Sequence, residues 1–422
     1  MATLKSLHIP LPGKDFEEKI HQWLRTMPFA CILDGNNYAY PQQPFRRRMA
    51  GGQREIVIMP GENWDETLRK KPADAWWFGY AGYEMQGKLP KDRRPVFMDF
   101  PAWSFFEATA VFEWKKDGLL VHSFEPESLL NEIGMLNPDS IGQLPEFPDF
   151  VAAISEEGYL QAVESIRMLI RSGDVYELNF CQYFESAVNP DGLNFFRHLN
   201  RRFPMPFSAW YKAIDYEIAS ASPERFLRRE GRELLSQPIK GTARRGKSEA
   251  EDAANKAALA GSEKERAENM MIVDLVRNDL ARVSVTGSTI VEDMFGIYAF
   301  PTVFQMISTV RSVLEKNLDN ADALRSAFPM GSMTGAPKQE VIRRIAELEP
   351  LRRGAYSGAL GCFEPGENFD LNVLIRSMFI NHRLQRCGFA VGSAITIDSD
   401  PAAEWEECLA KAAALLSICG KA

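Results

Sequence analysis

The sequence predicts an α+β fold. Strand-like and helix-like segments are mixed without strict βαβ alternation, which disfavours a doubly wound sheet. Short apolar runs crowd the first 135 residues, and segments of helical period follow from Ser155 onward. In chain order, Ala30–Leu33, Glu55–Met59, Trp76–Tyr80, Thr109–Trp114 and Gly118–Phe124 are apolar runs bounded by Pro, Gly and charged clusters, a strand-and-loop pattern. Residues 136–150, LNPDSIGQLPEFPDF, hold three prolines and read as a linker between regions 1–135 and 151–422. Beyond it, Leu160, Val163, Ile166 and Leu169–Ile170 recur at helical spacing, and Gly173 sits at a C-cap position. Val175–Ser186, Tyr216–Ala221 and Phe226–Gln237 read as strands. Lys247–Arg282 reads as one long charged helix. Pro337–Leu348 is a helix with Pro in its first turn and Pro350 past its end. Leu371–Ile380 and Gly388–Ile397 form a strand pair. Asp400 caps a final helix, Pro401–Leu416.

Composition excludes several classes. The 422 residues carry 49 Lys+Arg against 57 Asp+Glu, a net charge of −8, whereas a phosphate-binding face wants a basic excess. No nucleic-acid partner is expected. Cys31, Cys181, Cys362, Cys387, Cys408 and Cys419 lie too far apart for a zinc knuckle or redox pair, and read as buried thiols in a reducing compartment. The five histidines form no zinc-binding pair. Met1–Pro12 lacks the apolar run of a signal peptide, and no stretch approaches the ~18 apolar residues of a membrane helix. The expectation is a cytoplasmic protein with no membrane partner.

Four constellations could carry chemistry. Glu224 follows one strand, and Lys240 closes a hairpin whose turn is placed at Glu230-Gly231. That register puts Glu224 opposite Gln237 and lets both long side chains face one cavity. A lysine beside a carboxylate serves as nucleophile if desolvation lowers its pKa, and the carboxyl as acid/base; the alternative is a surface ion pair. Glu265 with Glu268, and Glu404 with Glu407, are i, i+3 pairs on two helices, with Lys411 one turn past Glu407. They form either a hard oxygen site suited to Mg²⁺ or two solvated acidic faces. GSMTGAPK (331–338) offers backbone N–H groups to an anion, or is a helix-entry turn. Arg376, read as part of an apolar strand, reaches a carboxylate ligand or a structural salt bridge.

Together and in this order the motifs resemble the chorismate-utilising enzymes. The likeness is carried by SGDVYELNF (172–180), SASPERF (220–226), PIKGTARRG (238–246), RAENMMIVDLVRNDLARV (266–283), AFPMGSMTGAPK (327–338), GAYSGALG (354–361), LIRS (374–377) and AEWEECLAKAAALL (403–416). It spans about residues 155–416, with weaker support from FGYAGYE (78–84). Within the family, PIKGT with Lys240 resembles the members that aminate chorismate at C4; anthranilate-forming members usually carry Ala there. The tryptophan-binding L-L-E-S motif of anthranilate synthases is replaced by Ile32-Leu33-Asp34-Gly35.

The resemblance implies a large fold with antiparallel sheets inside and helices outside, the first 135 residues corresponding to the N-terminal region of anthranilate synthase component I. It implies Lys240 as nucleophile, Glu224 as general acid/base, and Mg²⁺ held by Glu268 and Glu407 with Glu265 and Glu404 close by. It implies chorismate bound by Gly241, Thr242, Tyr356, Arg376, Lys411 and backbone near Gly392. It further implies ammonia as co-substrate, delivered by a separate glutamine amidotransferase subunit, and aminodeoxychorismate, a precursor of 4-aminobenzoate and folate, as product, since no lyase segment follows residue 416. The alternatives are anthranilate formation and a silent paralogue that scaffolds a glutaminase. Three departures stand out: Glu177 where amine-transferring members usually have Gln, Gln305 in place of His, and Val391-Gly392-Ser393-Ala394 in place of a glycine-rich turn.

Overall fold

The computed structural model describes residues 3–59, 62–86 and 92–421. Twenty strands among them join into one hydrogen-bonded system, flanked by helices. The strand Phe29–Asp34 shows how the sequence builds it. Its alternate residues point to opposite faces. Cys31 and Leu33 enter one core with Phe78, Trp103 and Tyr211. Ala30 and Ile32 enter a second core with Phe112, Phe180 and Trp210. A strand covered on both faces must be apolar throughout, and FACILD nearly is. The helices Glu156–Arg171 and Pro401–Ile418 close the second core with Val163 and Ile166, and with Cys408, Ala412 and Leu415.

Regions 1–135 and 151–422 share these sheets. Phe29–Asp34 pairs antiparallel with Phe207–Lys212, and Trp77–Ala81 with Ala359–Phe363. Residues 136–150 have no helix or strand, yet Phe147 is buried and Asp139 accepts hydrogen bonds from Arg25 and Arg197. Among the described residues the first region also holds three α-helices where only strands and loops were expected, the short Trp64–Arg69 and two longer ones. Lys14–Thr26 buries Ile20, Trp23 and Leu24, and Pro126–Met135 buries Leu129 and Ile133. Both carry the i, i+3/i+4 signal within charged sequence.

Several expected elements divide differently. Lys247–Arg282 is two helices, Glu249–Gly261 and Glu263–Ala281, because Ser262 ends one and caps the next by accepting from the Glu265 N–H. Leu371–Ile380 is two strands, Phe369–Asn372 and Ser377–Asn381. Residues 391–394 lie inside the strand Arg386–Ile395, with no positive φ, so Ser393 and Ala394 fit without strain. Pro337 occupies the N-cap of Lys338–Leu348 rather than its first turn. All six cysteines are buried and free. Among the described residues no helix is long and apolar enough to cross a membrane.

Candidate active site

Lys240 lies on the strand Ile239–Arg244, which pairs with Val303–Val313 through a register shift between Ile239 and Thr242. Such a bulge re-aims a side chain. Gly241 makes it possible: its φ is +96°, and a Cβ there would sit 3.1 Å from Glu265 Oε2. Asn269, from the helix Glu263–Ala281, clasps the bulge by donating to the Lys240 carbonyl at 3.3 Å. The Asn269 carbonyl oxygen in turn accepts from the Ser308 hydroxyl at 2.6 Å.

The Lys240 ammonium donates to Glu177 Oε1 at 2.7 Å, and the two side chains are only 11% and 1% exposed. Glu177 begins the strand Glu177–Ser186. Among the described residues its Oε2 is buried without a partner. The expectation that desolvation lowers the Lys240 pKa is overturned. Burial does oppose the charge, but Glu177, Glu268 and Glu224 outweigh it and hold the ammonium above its usual value. In this state the lysine is charged.

Glu224 sits between the strands Tyr216–Ser222 and Arg225–Glu230 and is 5% exposed. The hairpin register differs by one from expectation: Arg225, not Glu224, pairs with Gln237, because the turn is Gly231-Arg232 and a bulge intervenes. Ser332 donates to Glu224 Oε1 at 2.8 Å. Burial pushes this carboxyl up to about 7, against Ser332, Lys240 and Arg376, which pull it down. It can therefore hold a proton near neutral pH. Ser332 is what the GSMTGAPK loop supplies. The expected ring of free N–H groups is largely consumed: Gly335–Ala336 pairs with Glu177–Leu178, and the Met333 and Thr334 amides close local turns. Lys338 is locked to Asp279 and to the Ala327 and Pro329 carbonyls.

Arg376 is not in a strand. It occupies the break between Phe369–Asn372 and Ser377–Asn381 with φ +51°, a conformation uncommon outside Gly and Asn. Its carbonyl accepts from the Ala221 N–H, which fixes the break. Among the described residues its guanidinium has no carboxylate within ion-pair distance. Burial lowers its pKa, with Tyr38 and Glu224 opposing that shift. The planar fork of a guanidinium left without a partner suits a carboxylate. Tyr38, from the first region, lies beside it with a buried, unpartnered hydroxyl. Sequence reasoning missed this residue because nothing local marks it.

The remaining expected residues are placed less directly. Tyr356 is buried, its hydroxyl 3.2 Å from where a Gly392 Cβ would stand; Asn179 Oδ1 would stand 2.5 Å from that Cβ. Gly392 is therefore a close-packing position in a strand, not a turn. Lys411 pairs with Glu407 at 2.7 Å and donates to the Gly392 carbonyl at 2.9 Å. Thr242 is exposed and lines an open cleft of about 530 Å³ with Arg245, Asn255 and Glu265. Gln305 pairs across from Thr242, and its buried Oε1 lacks a partner.

Glu265 and Glu268 are both pushed up by burial, Glu268 to about 7; Glu407 acts on Glu265, and Glu177 and Glu265 on Glu268, in the same direction. Burial also raises Glu407, but Lys411 outweighs it and holds Glu407 below its usual value. Glu404 instead accepts from Ser399 at 2.7 Å. The four glutamates do not form one cluster: among the described residues no three acidic, His or Cys side chains lie within reach of a shared ion. The donor chemistry still fits Mg²⁺, since carboxylate oxygens are hard ligands.

A buried lysine–carboxylate pair, a carboxyl poised near neutrality and an unpaired guanidinium define a site for nucleophilic and acid/base work on an anionic substrate. The chain belongs to the chorismate binding enzyme family, whose sequence profile matches residues 46–417. It is 40% identical over 260 residues to aminodeoxychorismate synthase component 1 of Klebsiella aerogenes, covering 62% of this chain and 57% of that one. The chain thus spans little more than half of that relative's length. An anthranilate synthase component I-like protein of Synechocystis is 30% identical over 442 residues, covering 97% of this chain and 90% of that protein. The crystal structure of anthranilate synthase component I from Streptococcus pneumoniae superposes with a TM-score of 0.74 at 27% identity, covering 93% of this chain and 92% of that one.

Proposed function

We propose that the protein aminates chorismate at C4 with ammonia, giving 4-amino-4-deoxychorismate. The observation that carries the reading is Lys240, held on a bulge between Glu177 and Glu224. The Lys240 amine attacks ring carbon C2 while Glu224 gives its proton to the departing C4 hydroxyl, which leaves as water. Ammonia then bonds to C4 and the lysine is expelled. Arg376 receives one carboxylate of chorismate, with Tyr356, Gly241, Thr242, Gly392 and Lys411 shaping the pocket. Glu265, Glu268, Glu404 and Glu407 would hold Mg²⁺, which offsets the charge of a dianion beside glutamates. A glutamine amidotransferase subunit would supply ammonia, and the cytoplasm is the compartment that suits six free thiols.

The Synechocystis relative favours a second reading, anthranilate formation. Incubation with chorismate, ammonium and Mg²⁺, followed by product identification, separates them. The 4-amino product is expected. Anthranilate fluorescence would favour the second reading, and no turnover would favour a silent scaffold.

A further inference from the structure

Glu177 is more than a neighbour of the nucleophile. Its carboxylate accepts from Lys240 Nζ at 2.7 Å, and Glu177 is nearly sealed from solvent. The strand Glu177–Ser186 fixes its backbone, pairing on one side with Gly335–Ala336 and on the other with Arg386–Ile395. The charged groups facing the pair are Glu224 beside Lys240 and Glu268, from the helix Glu263–Ala281, beside both. Among the described residues Glu177 is the carboxylate within ion-pair distance of the ammonium. Among the described residues its other oxygen, Oε2, is buried and accepts from nothing, which is costly for a carboxylate unless the site uses it.

A charged lysine has no lone pair, so it must lose a proton before or as it attacks. We propose that Glu177 is the catalytic base that takes this proton, making the nucleophile a Glu177–Lys240 dyad rather than a lone lysine. The inference rests on the C4-amination reading above. The steps balance. One N–H bond of Lys240 breaks and its proton goes to Glu177, while the freed pair bonds to C2. Both conjugated ring double bonds shift, C1=C2 to C1=C6 and C5=C6 to C4=C5, and the C4–O pair leaves with the proton from Glu224. When ammonia bonds to C4, the lysine departs with its electron pair and recovers its proton from Glu177.

The test is the rate at which the full-length protein acquires the chorismate adduct on Lys240. It is followed by intact-protein mass spectrometry with chorismate and Mg²⁺ but no ammonia. Glu177→Gln keeps the size and the hydrogen bond but not the base. Adduct formation near neutral pH should slow by ~100-fold or more, the usual worth of a general base. It should recover as pH rises and solvent deprotonates the lysine, while chorismate binding persists. Formation at the parent rate with the parent pH profile would overturn the proposal. Should the Gln variant not fold, Glu177→Asp decides: a partial loss supports the base, and an unchanged rate removes it. If the parent forms no adduct and Lys240→Ala still makes the 4-amino product, the amination-by-lysine reading falls too. A parent adduct with an unaffected Gln variant removes Glu177 alone.

Discussion

At the scale of single residues, the proposed mechanism depends on where protons sit. Burial raises Glu224 to about 7, so its protonated form, the one that can give a proton to the leaving hydroxyl, is lost as pH rises through that value. The alkaline limb of kcat should therefore fall near pH 7–8, and Glu224→Gln should abolish the limb together with most activity. A limb unchanged in a residually active Glu224→Gln would assign it elsewhere. Arg376→Lys keeps charge but loses the planar fork. A charge-assisted pair that loses its geometry costs about 1.5–3 kcal/mol, so chorismate affinity should fall roughly 10- to 150-fold. Undiminished affinity in a titration would make Arg376 structural. As candidates, Lys240, Glu224 and Arg376 were legible because each sits in a short motif. The Lys240–Glu177 contact was not, since the partners are 63 positions apart and lie on different strands.

At the scale of elements, two local devices aim the chemistry. Ser262 splits what reads as one charged helix and caps the half that carries Glu265, Glu268 and Asn269. Its periodicity is continuous across the break, so only the cap chemistry of a mid-helix serine hints at it. Gly241 carries the other. Gly241→Ala would place a Cβ at φ +96° against Glu265 and Met306. A loss of about 1–3 kcal/mol in stability is expected, with a larger loss of turnover, because the bulge that aims Lys240 must shift. Denaturation midpoints beside kcat would check this: full activity in a folded Ala variant would mean the bulge is not needed. Arg376 also lies at an element boundary, and its positive φ is what a pattern of apolar residues across 371–380 concealed.

At the scale of the whole molecule, the α+β class and most elements beyond residue 155 were legible from periodicity and caps. The union of the two regions was not, because it depends on long-range pairing such as Phe29–Asp34 with Phe207–Lys212. Residues 151–422 expressed alone should therefore fail to give a cooperative unfolding transition, having lost a strand partner along a long edge. A sharp transition for that fragment would contradict the shared-sheet description. The site also weighs on stability. Glu224 and Glu268 are both raised from about 4.5 to about 7 by burial. The stability they contribute is fully present below their unfolded pKa and is lost as pH rises through the folded value, about 3 kcal/mol each. In chelator, Glu224→Gln should thus narrow the Tm difference between pH 5 and pH 8; an unchanged difference would refute the burial effect. Chelation itself should abolish turnover, since the acidic residues otherwise face a dianion unbalanced. The most direct test of the lysine mechanism is the product made by Lys240→Ala from chorismate, ammonium and Mg²⁺. We expect the 4-amino product to disappear, with slow direct attack at C2 leaving the 2-amino isomer or anthranilate; undiminished 4-amino-4-deoxychorismate would show that Lys240 takes no part.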